Sequence, residues 1–142
     1  MFSASIIDPH TIQAYTETAY RVHREPGFTL RVGEASDELL AVHSRQGVDC
    51  SAYLTAWNPF SRPTDEAANA VRQAELLDAL SRLGLVCLPG LGRHPSNEWP
   101  GEDSVLALGL DLDEARALGA RFEQNALVWS GADAVPQLIL LR

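Results

Sequence analysis

The chain has 142 residues, of which 46% are apolar and 21% charged. A length of this order suits one domain that buries its own core without metal or disulfide staples, and the composition excludes wholesale disorder. Nineteen acidic against eleven basic residues, every basic one an arginine, leave a net charge of −8. Such a chain repels phosphate backbones, so sequence-independent nucleic-acid binding is not expected.

Asp8-Pro9 reads as an N-cap followed by proline at the first helical position. Ile12, Tyr15, Ala19 and Val22 recur at helical spacing, which predicts one helix ending before Glu25-Pro26-Gly27. Phe28, Leu30 and Val32 alternate with Thr29 and Arg31 as in a half-buried strand. Ser36-Asp37-Glu38 opens a short helix that Gly47 can end. Ser51 to Trp57 follows as a strand, with Ala52, Leu54 and Ala56 on one face and Tyr53, Thr55 and Trp57 on the other. Bulk on both faces predicts an interior place in a sheet.

Asn58-Pro59-Phe60-Ser61-Arg62-Pro63 is a loop by composition. Thr64-Asp65-Glu66 caps the longest helix, which runs to about Leu83 before Gly84. Val71, Ala74, Leu76, Leu77, Leu80 and Leu83 are expected to form its apolar side. Leu85 to Leu88 is a short strand, and the Pro/Gly clusters of Pro89 to Gly101 predict a long irregular loop. Val105 to Leu108 is another strand. Asp111 and Glu114 have capping-box spacing before a helix that turns Leu112, Ala115, Leu118 and Phe122 inward. Ala126 to Trp129 and Gln137 to Leu141 form a hairpin. The expected class is α+β: a single domain over residues 1–142, with one mixed, largely antiparallel sheet of five or six strands. About four helices are expected, packed mainly on one face.

Cys50 and Cys87 lack CxxC spacing and read as reduced, buried thiols. The first residues lack the basic start and apolar length of a signal peptide, and no apolar run reaches the ~20 residues that cross a bilayer. A cytoplasmic protein with no membrane partner is therefore expected. His10, His23 and His43 show no metal spacing, and no cofactor motif is present, so neither metal nor cofactor is assigned.

Four segments carry unusual polar chemistry. In Trp57-Asn58-Pro59-Phe60-Ser61, the indole can stack on a ring and Asn58 can orient a ligand; equally, Asn58 can bond its own turn while Trp57 fills core space. Asn69, Arg72 and Gln73 stand near the start of the long helix, either cradling an anion or forming its solvated face. The loop after Leu88 holds Arg93, His94, Glu98, Trp99 and Glu102. There Arg93 and the glycine amides could meet an anion, and His94 with Glu98 could form a base and its orienter. Trp99 could instead simply anchor a surface connection. Glu102 is the best carboxylate for proton transfer, since burial in its loop would raise its pKa. Gln124-Asn125 either caps a helix, with Asn125 left-handed, or brings Gln124 to the mouth of the same pocket.

Together these stretches resemble the DUF3293 family of small, mostly bacterial proteins. The resemblance rests on Leu54-Thr55-Ala56-Trp57-Asn58-Pro59-Phe60-Ser61, and on Asn69 ahead of a leucine-rich helix. It extends through Pro89-Gly90-Leu91-Gly92, Trp99 with Glu102 and Ser104, and Phe122-Glu123-Gln124-Asn125-Ala126. It implies that these polar pieces are a recurring pattern, and it carries over no reaction, substrate or cofactor. The leading expectation is a domain that binds a small molecule or nucleotide-like ligand. Its site would comprise Trp57, Asn58, Ser61, Asn69, Arg72, Arg93, Trp99, Glu102, Gln124 and Asn125. The rival is an acidic protein-interaction module without catalytic activity, its partner unspecified. Burial of the tryptophans and a pocket near Asn58 discriminate the two.

Overall fold

In the computed structural model, residues 5–96 and 101–142 are described. Among them the chain forms four α-helices and one seven-stranded sheet. Helix α1 (Pro9–Glu17) starts where the Asp8 carboxylate accepts the His10 N–H at 2.8 Å. It stops well before Glu25, because Ala19–Val22 forms strand β1 instead. Tyr20 and Val22 fit a period of two as well as they fit a helical stripe. Hydrogen bonding on both edges, to β2 (Phe28–Leu30) and to a later strand, decides for the strand.

Helix α2 (Asp37–Gln46) has the caps its sequence predicts: Ser36 Oγ accepts from Leu39 N–H at 3.1 Å, and Gly47 is left-handed at φ 66°. Strand β3 (Ser51–Leu54) is buried throughout. A short 3-10 turn (Pro59–Ser61) leads to helix α3 (Glu66–Arg82), which Asp65 caps by accepting from Ala68 N–H at 3.1 Å. The buried face of α3 is Asn69, Gln73, Leu76 and Leu80. The expected apolar side is only partly right, since Val71, Leu77 and Leu83 are exposed.

Strand β4 (Val86–Arg93) overturns the expectation of a long loop from Pro89. It pairs with β1 and with β5 (Glu102–Leu108), and its breakers are each accommodated. The Pro89 carbonyl accepts the His23 N–H at 2.8 Å. Gly90 leaves room for the Tyr53 phenol, whose hydroxyl would lie 2.6 Å from a Cβ at that position. Helix α4 (Leu112–Arg121) begins at Asp111, which accepts the Glu114 N–H at 2.8 Å. Strands β6 (Ala126–Ser130) and β7 (Gln137–Leu140) close the chain as the expected hairpin.

The sheet order is β2-β1-β4-β5-β3-β6-β7, and every pairing is antiparallel. The α+β class is as expected, with seven strands rather than five or six, because β1 was hidden in a helical stripe. The helices flank both faces, not mainly one. Leu76 and Leu80 of α3 and Ala115 and Leu118 of α4 pack on Ala52, Leu54, Val105, Ala107 and Leu127. Leu39 and Val42 of α2 pack on the opposite face, with Tyr20, Tyr53, Leu106, Leu108 and Val128. Helix α1 covers the other end of that second face, where the Tyr20 hydroxyl donates to the Tyr15 carbonyl at 2.5 Å. No residue of α1 is fully buried, so α1 acts as a roof, and a cleft remains beneath it. Among the described residues no helix is long and apolar enough to cross a membrane.

Candidate functional site

The cleft encloses about 90 Å³, or about 760 Å³ once the open solvent at its mouth is counted. Its roof is Ala14 and Tyr15 of α1 with Thr18, which ends the helix. Its floor runs across the sheet through Tyr20, Gly92, Glu102, Ser104, Tyr53 and Val128. Period-two alternation explains the floor: Glu102 and Ser104 continue the side of β5 that carries Leu106 and Leu108, so polar residues cap an apolar row. Ser61, His94 and Gln124 supply further walls.

Asn58 stands where the chain leaves the sheet, and it ties the α3 side to the cleft side. Its N–H donates to Asn69 Oδ1 at 2.8 Å, and Asn69 Nδ2 donates back to Asn58 Oδ1 at 2.8 Å. Asn58 Oδ1 also accepts the Thr64 N–H at 3.0 Å, while its Nδ2 donates to Glu102 Oε1 at 3.3 Å. Asn69 is 1% exposed, so the solvated-face reading of this turn of α3 is wrong. Its carboxamide is buried because the departing backbone needs partners there. Gln73, one turn on, does the same for the end of β3, its Oε1 accepting the Ala56 N–H at 2.9 Å.

This arrangement holds the loop in uncommon backbone conformations. Asn58, Phe60 and Ser61 all have positive φ, at 47°, 53° and 59°. Non-glycine residues occupy that region only where surrounding contacts over-determine it, and such positions cluster at ligand sites. Ser61 is fixed by hydrogen bonds with the Tyr15 hydroxyl and from Asn125 Nδ2, the latter at 3.3 Å. Asn125 Nδ2 also donates to the Tyr15 hydroxyl at 3.0 Å, and its Oδ1 accepts from Arg142 at 3.2 Å. Asn125 is not the left-handed helix terminator; Glu123 is, with φ 57°.

Glu102 is the chemically distinctive group. Burial pushes its carboxyl up to about 7, against a smaller opposing effect of the Asn58 hydrogen bond. Among the described residues Asn58 is its one side-chain hydrogen-bond partner. Burial likewise pushes up the phenols of Tyr20 and Tyr53, so both are neutral hydroxyls near pH 7.

Of the residues nominated from sequence, Ser61, Glu102 and Gln124 line the cleft, and Asn58, Asn69 and Asn125 brace it. Arg72 is a clamp rather than an anion binder. Its guanidinium donates to the Phe122 carbonyl at 2.7 Å and the Ala56 carbonyl at 3.4 Å, beside Glu123 at 3.5 Å. Arg93 is exposed at the end of β4 and does not line the cleft. The Trp57 indole is half-buried and does not line the cleft either; its carbonyl accepts from Gln124 Nε2 at 3.2 Å. His94 lines the cleft, but its Nε2 faces Glu17 at 2.9 Å, and that bond holds the Glu17 carboxyl below its usual range. Glu98 and Trp99 lie outside the described residues. Cys50 and Cys87 are half-buried free thiols rather than fully buried ones.

Sequence reasoning missed Tyr15, Tyr20, Tyr53 and Ser104. Tyr15 was absorbed into a predicted apolar stripe, and Tyr20 fell inside the same predicted helix without being singled out. Tyr53 and Ser104 alternate with core residues, and that alternation was the available signal. Among the described residues no group of three His, Cys, Asp or Glu side chains could hold a metal ion.

Fold and cleft define a class: an α+β protein with an antiparallel sheet whose one end carries a roofed polar hollow. The family model for a protein of unknown function, DUF3293, matches residues 54–127, just over half of the chain. The chain belongs to the DUF3293 family, and the matched span contains Ser61, Glu102 and Gln124 together with their braces Asn58 and Asn69. No curated protein and no solved structure matches the chain.

Proposed function

We propose that this protein binds a small molecule in the cleft beneath α1. One observation carries the reading. Tyr15, Ser61, His94, Glu102 and Gln124, from five separated stretches of chain, converge on one open hollow. The left-handed loop from Asn58 to Ser61 adds support, because a plain connection has no need of three such residues. Glu102 gives the site a carboxyl able to hold or release a proton near neutrality. The half-buried free thiols suit a reducing compartment, so a cytoplasmic setting is part of the proposal.

The rival, an interaction module, draws on the exposed Val71, Leu77 and Leu83 of α3. An amide-resolved NMR screen of the chain against small aromatic fragments separates the two. The cleft reading expects shifts at Gly92, Ser104 and Gln124. Fragments that bind only along α3, or nowhere, would defeat it.

A further inference from the structure

Hydrogen-bond accounting inside the cleft narrows the ligand further, and it rests on the cleft being a binding site. Each hydroxyl has one hydrogen to donate and lone pairs to accept with. The hydroxyls of Tyr20, Tyr53 and Thr18 donate to the carbonyls of Tyr15, Arg21 and Ala14, at 2.5, 2.8 and 2.7 Å. Those of Thr55 and Ser104 donate to the carbonyls of Asp103 and Glu102, at 2.5 and 2.9 Å. Gln124 Nε2 is spent on the Trp57 and Phe122 carbonyls, both at 3.2 Å, which leaves Oε1. Tyr15 and Ser61 bond each other and both face the Asn125 amide, so one hydroxyl hydrogen is left between them.

The donor hydrogens are therefore almost all spent. The Trp57 N–H already occupies Thr55 Oγ1 at 3.0 Å, and the Tyr20 and Tyr53 hydroxyls face Thr18 and Ser104, yet the capacity left over is mainly acceptor. It is joined by a carboxyl whose one partner among the described residues is Asn58. No arginine lines the hollow among the described residues, and the His94 nitrogens face Ser96 and Glu17. A phosphate or carboxylate would meet lone pairs and a carboxyl, and its desolvation would go uncompensated. An N–H donor with positive charge meets complementary groups, while Val128, Leu138 and the tyrosine rings accept an apolar body. The net charge of −8 attracts the same class of ligand from solution.

We infer that the cleft takes a cationic nitrogen compound, an amine or amidine on an apolar or aromatic body, with Glu102 as its counter-charge. Nucleotide-like ligands, which need an anion site, are disfavoured.

The test uses three probes of one shape, benzamidine, benzamide and benzoate, with phenyl phosphate as a second anion, titrated into the full chain by NMR. Benzamidine is expected to shift the Gly92 and Ser104 amides and to bind at least about tenfold tighter than either anion. Glu102→Gln is expected to weaken benzamidine about tenfold and leave benzamide unchanged. Gly92→Ala should weaken both, since a Cβ there projects into the cleft yet meets Ser104, Thr18 and Tyr20 no closer than 3.8 Å. Anions that match or beat benzamidine in the cleft would overturn the ligand class and leave the cleft reading standing. Silence of the cleft amides to every probe would sink both. Unchanged benzamidine affinity in Glu102→Gln would remove Glu102 as counter-charge. If that variant does not fold, the ranking of probes on the parent chain still decides.

Discussion

The two halves of α3 present the same buried face to the sheet, yet they bury opposite chemistry. Its C-terminal half sets Leu76 and Leu80 against Ala107 and Leu127. Its N-terminal half sets Asn69 and Gln73 against backbone that has just left β3. The apolar half is stabilised by removing surface from water. The polar half gains little from burial; it holds Asn58 and Ala56 in a fixed place, because an unmade hydrogen bond there would cost more than the made one contributes. One end of the helix secures the fold, and the other positions the groups around Glu102.

Substitutions can break that contrast. Leu76→Ala in the apolar half should lower stability by about 4 kcal/mol, since it opens a cavity in a fully enclosed place. Urea denaturation reads this directly, and a loss below about 1 kcal/mol would mean that the core collapses around the gap.

The effect at Glu102 depends on pH. Its folded-state pKa, about 7, lies above the ordinary 4.5. Folding therefore favours the protonated form, so this contribution is fully present below pH 4.5 and is lost as pH rises through about 7. Glu102→Gln cannot ionise, and it should exceed the parent in stability by up to about 3 kcal/mol at pH 8. The difference should vanish near pH 4. Parallel stability curves for the two proteins across that range would show the carboxyl to be solvated.

Asn69→Ala should cost about 2 kcal/mol, and its diagnostic is local: faster hydrogen exchange at the Asn58 and Thr64 amides. If only the helix amides respond, Asn69 does not brace the loop. Val71→Ser, on the exposed side of the same helix, should change stability by less than about 0.5 kcal/mol. A larger loss would point to a covered α3 surface and favour the interaction reading.

Capped helix ends were legible because caps are local, whereas the end of α1 at Glu17 was not. Ser36, Gly47, Asp65 and Asp111 act on backbone groups within a few residues of themselves, and each does what its type predicts. The stripe of α3 was misread because periodicity sees only apolar residues; Asn69 and Gln73 complete the true buried face. Asn58 and Glu102 were each singled out in the sequence, but their bond spans 44 positions, and nothing local announces it.

What the amino-acid order determined by itself was the α+β class, the family pattern, the capped helix starts and a set of suspect polar residues, all consequences of short-range sterics, capping and alternation. The tertiary structure alone decided that Ala19–Val22 is a strand, that Arg72 clamps carbonyls instead of meeting an anion, and that the tyrosines join Glu102 in one hollow. Those outcomes depend on which distant strand edges and carbonyls lie within hydrogen-bond reach, and that is set only once the sheet has ordered its seven strands.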